Sequence, residues 1–162
     1  MHMESQQAAR ELGVMLLRRG FRLAVAESCT GGWLAKLVTD VPGCSGWFER
    51  GFVTYSNSAK IEMLGVREQT LREQGAVSAA TVNEMAEGAL THSHADSAVA
   101  ISGVAGPDGG TPDKPVGLVW IAWALRGQPA QAEQFQFVGD REAVRLQAAE
   151  TALVGLIRRL QV

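Results

Sequence analysis

The chain has 162 residues, of which 46% are hydrophobic and 20% charged, a composition typical of a globular domain with a packed core. Its 15 Lys and Arg against 17 Asp and Glu give a net charge of −2, which lacks the basic excess of nucleic-acid-binding proteins. The longest apolar run, residues 116–125, is far shorter than the ~20 residues of a membrane-spanning helix. We therefore expect one domain over residues 1–162 that binds neither nucleic acid nor a membrane.

The N-terminal segment is polar and lacks the basic-then-apolar layout of a secretory signal. Two cysteines are too few for a disulfide scaffold. A cytoplasmic location is therefore expected.

Hydrophobic periodicity and turn residues predict elements in a regular order. In chain order these are helix 8–17, strand 23–26, helix 30–38, strand 51–55, a short helix capped by Ser58, helix 81–92, strand 97–101, strands 116–125 and 134–138 as a hairpin, and helix 141–160. Alternating strands and helices indicate an α/β fold, here a three-layer α/β/α sandwich with a mostly parallel, mixed sheet. Ligands of such sheets bind where strands end.

Two segments follow strands at that position. In the first, Ser28 precedes Thr30, Gly31 and Gly32 at a strand-to-helix turn, where glycines allow a close approach and free amides can bind an oxyanion. Such a turn suits a serine nucleophile, although Ser28 or Thr30 could instead cap the following helix. Cys29 is a competing nucleophile, or a small side chain that packs behind the turn.

A serine nucleophile needs a base, and the three histidines are poorly placed to supply it. Lysine serves when burial lowers its pKa, and Lys60 could reach the same pocket as Tyr55. The alternative is that Lys60 is a surface lysine of its helix. The histidines and cysteines form no ligand pattern, so neither a metal nor another cofactor is expected.

The second segment, residues 102–110, is a glycine-rich loop of the kind that holds a small polar ligand, with Asp108 as a candidate contact. It matches neither nucleotide-binding fingerprint, and a tolerated surface insertion is the alternative. Arg141 and Arg145 begin the last helix, where they could bind a phosphate or be solvated helix-face residues.

These segments together resemble the C-terminal domain of the CinA family. The resemblance is carried by the segments at 23–32, 51–57 with Lys60, 75–78, 101–110 and 114–117, which cover nearly the whole chain in order. It implies an α/β/α domain, in the stand-alone form, that hydrolyses the carboxamide of nicotinamide mononucleotide to nicotinate mononucleotide and ammonia. Carried over by motif, the nucleophile falls on Ser28 and the family's lysine and tyrosine on Lys60 and Tyr55.

The predicted mechanism has Ser28 as nucleophile, Lys60 as base and Tyr55 as an orienting or relaying group, with backbone amides of residues 29–32 as the oxyanion hole. The predicted substrate-binding residues are Thr30, Gly31, Gly32, Ser102, Gly103, Gly106, Asp108, Arg141 and Arg145. A non-catalytic module that senses pyridine nucleotides is the alternative function. The substrate is the one expected partner, and self-association into a homo-oligomer is left open.

Overall fold

The computed structural model describes residues 2–161 of the chain. The helices are α1 (His2–Arg19), α2 (Trp33–Thr39), α3 (Asn57–Leu64), α4 (Glu68–Gln74), α5 (Ala79–Thr91) and α6 (Arg141–Leu160). The strands are β1 (Leu23–Glu27), β2 (Phe48–Val53), β3 (Ser97–Gly103), β4 (Leu118–Leu125) and β5 (Gln131–Gln136). A short 3-10 helix, Cys44–Gly46, precedes β2.

The five strands form one mixed sheet in the order β2-β1-β3-β4-β5. The pairs of β1 with β2 and with β3 are parallel, whereas β3–β4 and β4–β5 are antiparallel. Helices cover both faces, which confirms the α/β sandwich, and the antiparallel pair β4–β5 confirms the late hairpin. Because only two of the four strand pairs are parallel, the sheet is mixed rather than mostly parallel. None of the helices within residues 2–161 has the length and apolar character required to cross a bilayer.

The two faces of the sheet carry side chains of different size. Large side chains such as Val25, Ile101 and Trp123 face the layer of α1, α2 and α6. Alanines of the same strands face α5 and α3 instead. Because successive residues of a strand point to opposite faces, this alternation builds a thick core on one side and allows a close approach of α5 on the other.

Helix α6 lies against the sheet at Gly155. A Cβ atom added there would collide with the ring of Trp123, and the Trp123 indole donates a hydrogen bond of 2.9 Å to the Ala152 carbonyl. The absence of a side chain at Gly155 therefore allows α6 to pack closely against Trp123 of β4.

The structure differs from the sequence prediction at several element boundaries, and β5 begins at residue 131 rather than 134. Strand β2 ends at Val53, so that residues 54–55 lie beyond the sheet. Ser56 rather than Ser58 caps α3, since the Ser56 hydroxyl accepts the Ala59 amide at 3.0 Å. Helix α4 was not predicted, because its sequence has no apolar stripe and Thr70 is its one buried residue.

Candidate active site

The Ser28 turn, the segment after β2 and the end of β3 enclose a cavity of about 200 Å³. Parallel pairing of β1 with both neighbours brings the carboxyl ends of these three strands to one edge of the sheet. Ser28, Lys60 and Ser102 all line the cavity, together with Tyr55 and Arg141. The structure thus brings together the predicted catalytic residues and part of the predicted binding set.

Ser28 and Lys60 are in direct contact. Lys60 Nζ lies 2.9 Å from Ser28 Oγ, 2.9 Å from the Thr54 carbonyl and 3.0 Å from the Tyr55 carbonyl. A charged ammonium group has three N–H donors for these three acceptors. A neutral amine can donate to the two carbonyls and accept the Ser28 proton, so the same positions suit both protonation states.

Burial makes the neutral form of Lys60 accessible. The side chain is 1% exposed, and burial lowers its pKa from 10.5 to about 8. The alternative of a solvated surface lysine is therefore wrong.

Cys29 belongs to the hydrophobic core beneath the turn. Burial raises the pKa of its thiol to about 11, although its own amide and Arg145 act in the opposite direction. Since the thiolate is the reactive form, Cys29 is a poor nucleophile at neutral pH.

Glu27 is a site residue that the sequence reasoning missed. Its carboxylate is fully buried and accepts hydrogen bonds from the Thr30 hydroxyl at 2.6 Å and from the amides of Gly32, Leu34 and Ala35 at 3.2, 2.9 and 2.9 Å. It therefore satisfies the start of α2, where a helix has unpaired amides. The available signal was an acidic residue at the end of an apolar strand and directly before a turn.

Contrary to the prediction, the Thr30 hydroxyl and the amides of Gly31 and Gly32 are not free. The Thr30 hydroxyl and the Gly32 amide bind Glu27, and the Gly31 amide donates to the Ser28 carbonyl at 3.1 Å. Gly31 and Gly32 have φ values of 58° and 105°, which favour glycine and produce the tight turn. Their observed contacts shape the turn rather than open it to a ligand.

Arg145 also binds the turn. Its Nε donates to the Cys29 carbonyl at 3.0 Å and its Nη2 to the Thr30 carbonyl at 3.1 Å, while the guanidinium lies over the Trp33 ring. These contacts differ from both expectations for Arg145, since the side chain neither lies free for a phosphate nor is merely solvated.

Tyr55 contributes to the Ser28–Lys60 contact through its carbonyl and not through its phenol. The side chain is 61% exposed, and its hydroxyl lies 3.5 Å from Arg141 Nη2 at the cavity rim. Arg141 also donates to the Gly106 carbonyl at 2.9 Å. The expected relay through the phenol therefore has no contact with Ser28 or Lys60 in the described chain.

The first residues of the loop 102–110 line the cavity, and its last residues are exposed on the surface. Ser102, 1% exposed, and Gly103 line the cavity, and a Cβ on Gly103 would collide with Val119 and the Leu118 carbonyl. Gly106 packs against Val116 and binds Arg141 through its carbonyl. Asp108 is exposed and does not line the cavity, so the structure does not bring it to the site.

Metal-ligating side chains are not clustered in this part of the molecule. Among residues 2–161, no group of three His, Cys, Asp or Glu side chains could hold a metal ion. The chemistry available at the site comes from the Ser28 hydroxyl, the Lys60 amine and the backbone of the turn.

The fold and this contact define a class: an α/β domain with a buried serine–lysine pair at the carboxyl edge of its sheet. The model of the CinA C-terminal domain matches residues 5–160, and the chain belongs to that family.

The relatives agree with this membership. The chain is 55% identical over 150 residues to the Escherichia coli nicotinamide-nucleotide amidohydrolase PncC, covering 93% of this chain and 91% of that protein. It is 53% identical over 150 residues to the protein of the same name from Pseudomonas putida, covering 93% of each. A crystal structure of the competence/damage inducible protein CihA from Agrobacterium tumefaciens superimposes with a TM-score of 0.95 at 42% identity, covering 98% of this chain and 96% of that one.

Proposed function

We propose that this chain is a nicotinamide-nucleotide amidohydrolase, which converts nicotinamide mononucleotide and water to nicotinate mononucleotide and ammonia. The observation that carries the proposal is the buried 2.9 Å contact between Lys60 Nζ and Ser28 Oγ. A hydroxyl within hydrogen-bond reach of a base is what covalent acyl transfer requires. The names of relatives 55% and 53% identical support the choice of substrate.

Neutral Lys60 is the base in this mechanism. Its two N–H groups bind the carbonyls of Thr54 and Tyr55, which turns the lone pair toward Ser28 Oγ. Ser28 Oγ bonds to the carboxamide carbon as its proton passes to Lys60, and a tetrahedral oxyanion forms. Lys60 then gives that proton to the leaving nitrogen, the C–N bond breaks, and ammonia departs from a Ser28 ester.

Water completes the cycle by the reverse proton path. It attacks the ester carbon while Lys60 takes its proton, the bond to Ser28 Oγ breaks, and the proton returns to the serine. The product acid gives its remaining proton to ammonia or bulk water and leaves as a carboxylate. No metal or organic cofactor enters these steps, and that expectation stays a prediction.

The Cys29 amide is the assigned oxyanion donor. Among residues 2–161, the amides of Cys29 and Thr30 donate to no other residue, and of these two residues Cys29 lines the cavity. Because a trans peptide is planar, the Cys29 N–H points away from the Ser28 carbonyl, which is bound inside the turn by Gly31. An oxyanion donor of this kind contributes about 3–4 kcal/mol to catalysis.

The cavity size suggests how the substrate divides between two regions. At about 200 Å³ it is smaller than the ~300–1,000 Å³ of pockets for whole drug-sized ligands. We assign the carboxamide-bearing ring to it, with the Ser102 hydroxyl as a polar contact and the Tyr55 ring at its rim. The ribose phosphate would extend past Arg141, which also lines an adjoining cavity of about 500 Å³ at the start of α6.

The non-catalytic sensor is disfavoured because a binding module has no need of a lysine buried beside a serine. Burying an amine disfavours its charged form and is costly unless the neutral form is used. The single domain over residues 1–162, the cytoplasmic location and the absence of nucleic-acid and membrane partners stay predictions. Self-association is left open.

Ammonia release from the purified protein tests the proposal. We expect turnover of nicotinamide mononucleotide, slower turnover of the riboside and of free nicotinamide, and none of glutamine. Turnover that survives Ser28→Ala would refute the serine mechanism. Wild-type protein that releases no ammonia from the mononucleotide would refute the function.

A further inference from the structure

The polar groups of the Ser28 turn are bound by two different side chains. The buried Glu27 carboxylate accepts the Thr30 hydroxyl and the Gly32 amide. The Arg145 guanidinium donates to the carbonyls of Cys29 and Thr30. Glu27 thus accepts hydrogen bonds from the donor groups of the turn, and Arg145 donates hydrogen bonds to its carbonyls.

These contacts fix the peptide planes around the Cys29 amide. The Ser28 amide donates to the Ile101 carbonyl at 3.0 Å and the Ser28 carbonyl accepts the Gly31 amide at 3.1 Å. Arg145 holds the next carbonyl, that of Cys29, at 3.0 Å. Since each peptide unit is planar, the direction of the intervening Cys29 N–H is set by its neighbours.

We infer that Glu27 and Arg145 are positioning residues that preorganise the Cys29 amide as the oxyanion donor. The inference rests on the proposed function and assigns a role to two residues that do not touch the reacting atoms. Donors that are already aimed at the developing charge need no reorganisation during the reaction. Loosening the turn should therefore reduce the rate of the chemical step and leave ground-state binding of substrate nearly unchanged.

Glu27 also prevents the start of α2 from binding an anionic group of a ligand. Amides at a helix start commonly bind a phosphate. Here Gly32, Leu34 and Ala35 bind the Glu27 carboxylate, so the end of the helix is already occupied by a negative charge. Glu27 and Arg145, which we call the clamp, thus hold the turn, and the Glu27 carboxylate directs an anionic group of the substrate elsewhere.

The test compares two substitutions in the clamp with two matched substitutions elsewhere. Glu27→Gln and Arg145→Met remove one charge each and keep most of the side-chain volume. Glu84→Gln is the first control, because Glu84 likewise accepts a backbone amide, of Arg67, and a threonine hydroxyl, of Thr70, but lines another cavity. Arg126→Met is the second, because Arg126 likewise donates to two backbone carbonyls, of Leu90 and Ala95, and does not line the cavity.

We expect each clamp variant to lower kcat for nicotinamide mononucleotide about 10- to 100-fold, the scale of a misplaced catalytic group, with KM within about threefold. Both controls should keep kcat within about twofold of wild type, a margin well below that scale.

Pyridine-3-boronic acid gives a second readout that a purely structural role would not move. Its boron bonds to Ser28 Oγ as the serine proton passes to Lys60, and a boronate oxygen takes the place of the oxyanion. Its affinity should fall in parallel with kcat in both clamp variants, whereas the affinity for nicotinate mononucleotide should stay within about threefold, since ground-state contacts are kept.

Several results would overturn the inference. Unchanged kcat in both variants would do so, as would a rise in KM alone or equal losses of boronate and product binding. If thermal unfolding shows that Glu27→Gln does not fold, Arg145→Met decides alone, and unchanged kcat in that variant overturns the inference. Wild-type protein without ammonia release would refute the proposed function, and the assigned role would fall with it.

Discussion

The two glycine-rich segments at the site differ in how firmly they are bound. The Ser28 turn is buried, and its polar groups bind Glu27, Arg145 and the neighbouring strand. The loop that follows Ser102 is buried at its start but exposed from residue 107 onward. A reacting group needs a fixed position, whereas a segment that touches only the outer part of a substrate can adapt to it. We therefore expect the chemical step to depend on the turn, and any contribution of the loop to be limited to the outer part of the substrate.

A substitution of Ser28 tests the role assigned to the turn and should have the largest effect on kcat. Ser28→Ala should reduce kcat at least about a thousandfold, because it removes the nucleophile. Cys29→Ala should keep most activity, since its backbone amide remains. Steady-state ammonia release measures both. An active Ser28→Ala protein would assign the reaction to another nucleophile or to water.

Lys60 supplies the next largest effect. Lys60→Arg should be nearly as damaging as Lys60→Ala, on the order of 10²–10⁴ in kcat, because a guanidinium stays protonated and cannot act as a base. Comparison of both variants at the same pH measures it. Full activity of Lys60→Arg would make Lys60 an electrostatic group and would require another base.

The pH dependence should report the lowered pKa of Lys60. With a pKa of about 8, the neutral fraction rises about tenfold between pH 7 and pH 9, and kcat/KM should follow it to a plateau. A pH profile of the wild-type enzyme checks this expectation. A flat profile over that range would contradict the assignment of Lys60 as base.

Stability should change with pH in the same direction. From pH 8 to 10.5 the unfolded chain binds a proton at Lys60 that the folded chain has released, so the free energy of unfolding rises across that window. Below pH 8 the cost of burying the charge is fully present. Urea unfolding of wild type against Lys60→Met measures the effect, and the variant should lack this component.

Arg141 tests the outer part of the site. Arg141→Ala should lower kcat/KM for the mononucleotide about tenfold and change the riboside little, because a phosphate contact is lost. Arg145→Met should lower both substrates alike, since it acts through the turn. If Arg141→Ala leaves the ratio of the two substrates unchanged, the phosphate is bound elsewhere.

The smallest effect is expected at Asp108. Asp108→Asn should change kcat/KM less than about twofold, because an exposed side chain away from the cavity contributes little to binding. Ser102→Ala is the matched change on the buried side of the same segment and should be the more damaging. A large loss in Asp108→Asn would show that the loop closes over the substrate.

Sequence patterns predicted the order of the main elements, because apolar strand runs and turn glycines are local signals. The pairing of Ser28 with Lys60 was predicted from the family resemblance, since the local pattern also allowed a surface position for Lys60. Sequence patterns did not predict where β2 ends, because parallel pairing with β1 sets that boundary. Thr54 and Tyr55 lie beyond it, and their carbonyls accept hydrogen bonds from Lys60. The pairing of β1 with β2 joins distant segments and leaves no trace in local composition.

The roles of Glu27 and Arg145 were unpredictable for the same reason. An arginine at a helix start suggests an anion site, but whether it meets a phosphate or two carbonyls depends on what the fold places opposite. Arg145 meets the turn because α6 packs against α2, the helix that follows the turn. The role of the buried Glu27 carboxylate likewise depends on α2, whose first amides it binds.

The close packing of Gly155 against Trp123 also fixes the position of α6 along the sheet, and with it the position of Arg145. Gly155 stands ten residues after Arg145, which is about 15 Å along an α-helix. Any side chain at position 155 would have to push the helix away from β4, and the guanidinium at the other end would move with it. Gly155→Ala, remote from the cavity, should therefore appear in kinetics as a mild Arg145 defect. We therefore expect the rate constants of this protein to depend on a steric fit at the far end of its last helix.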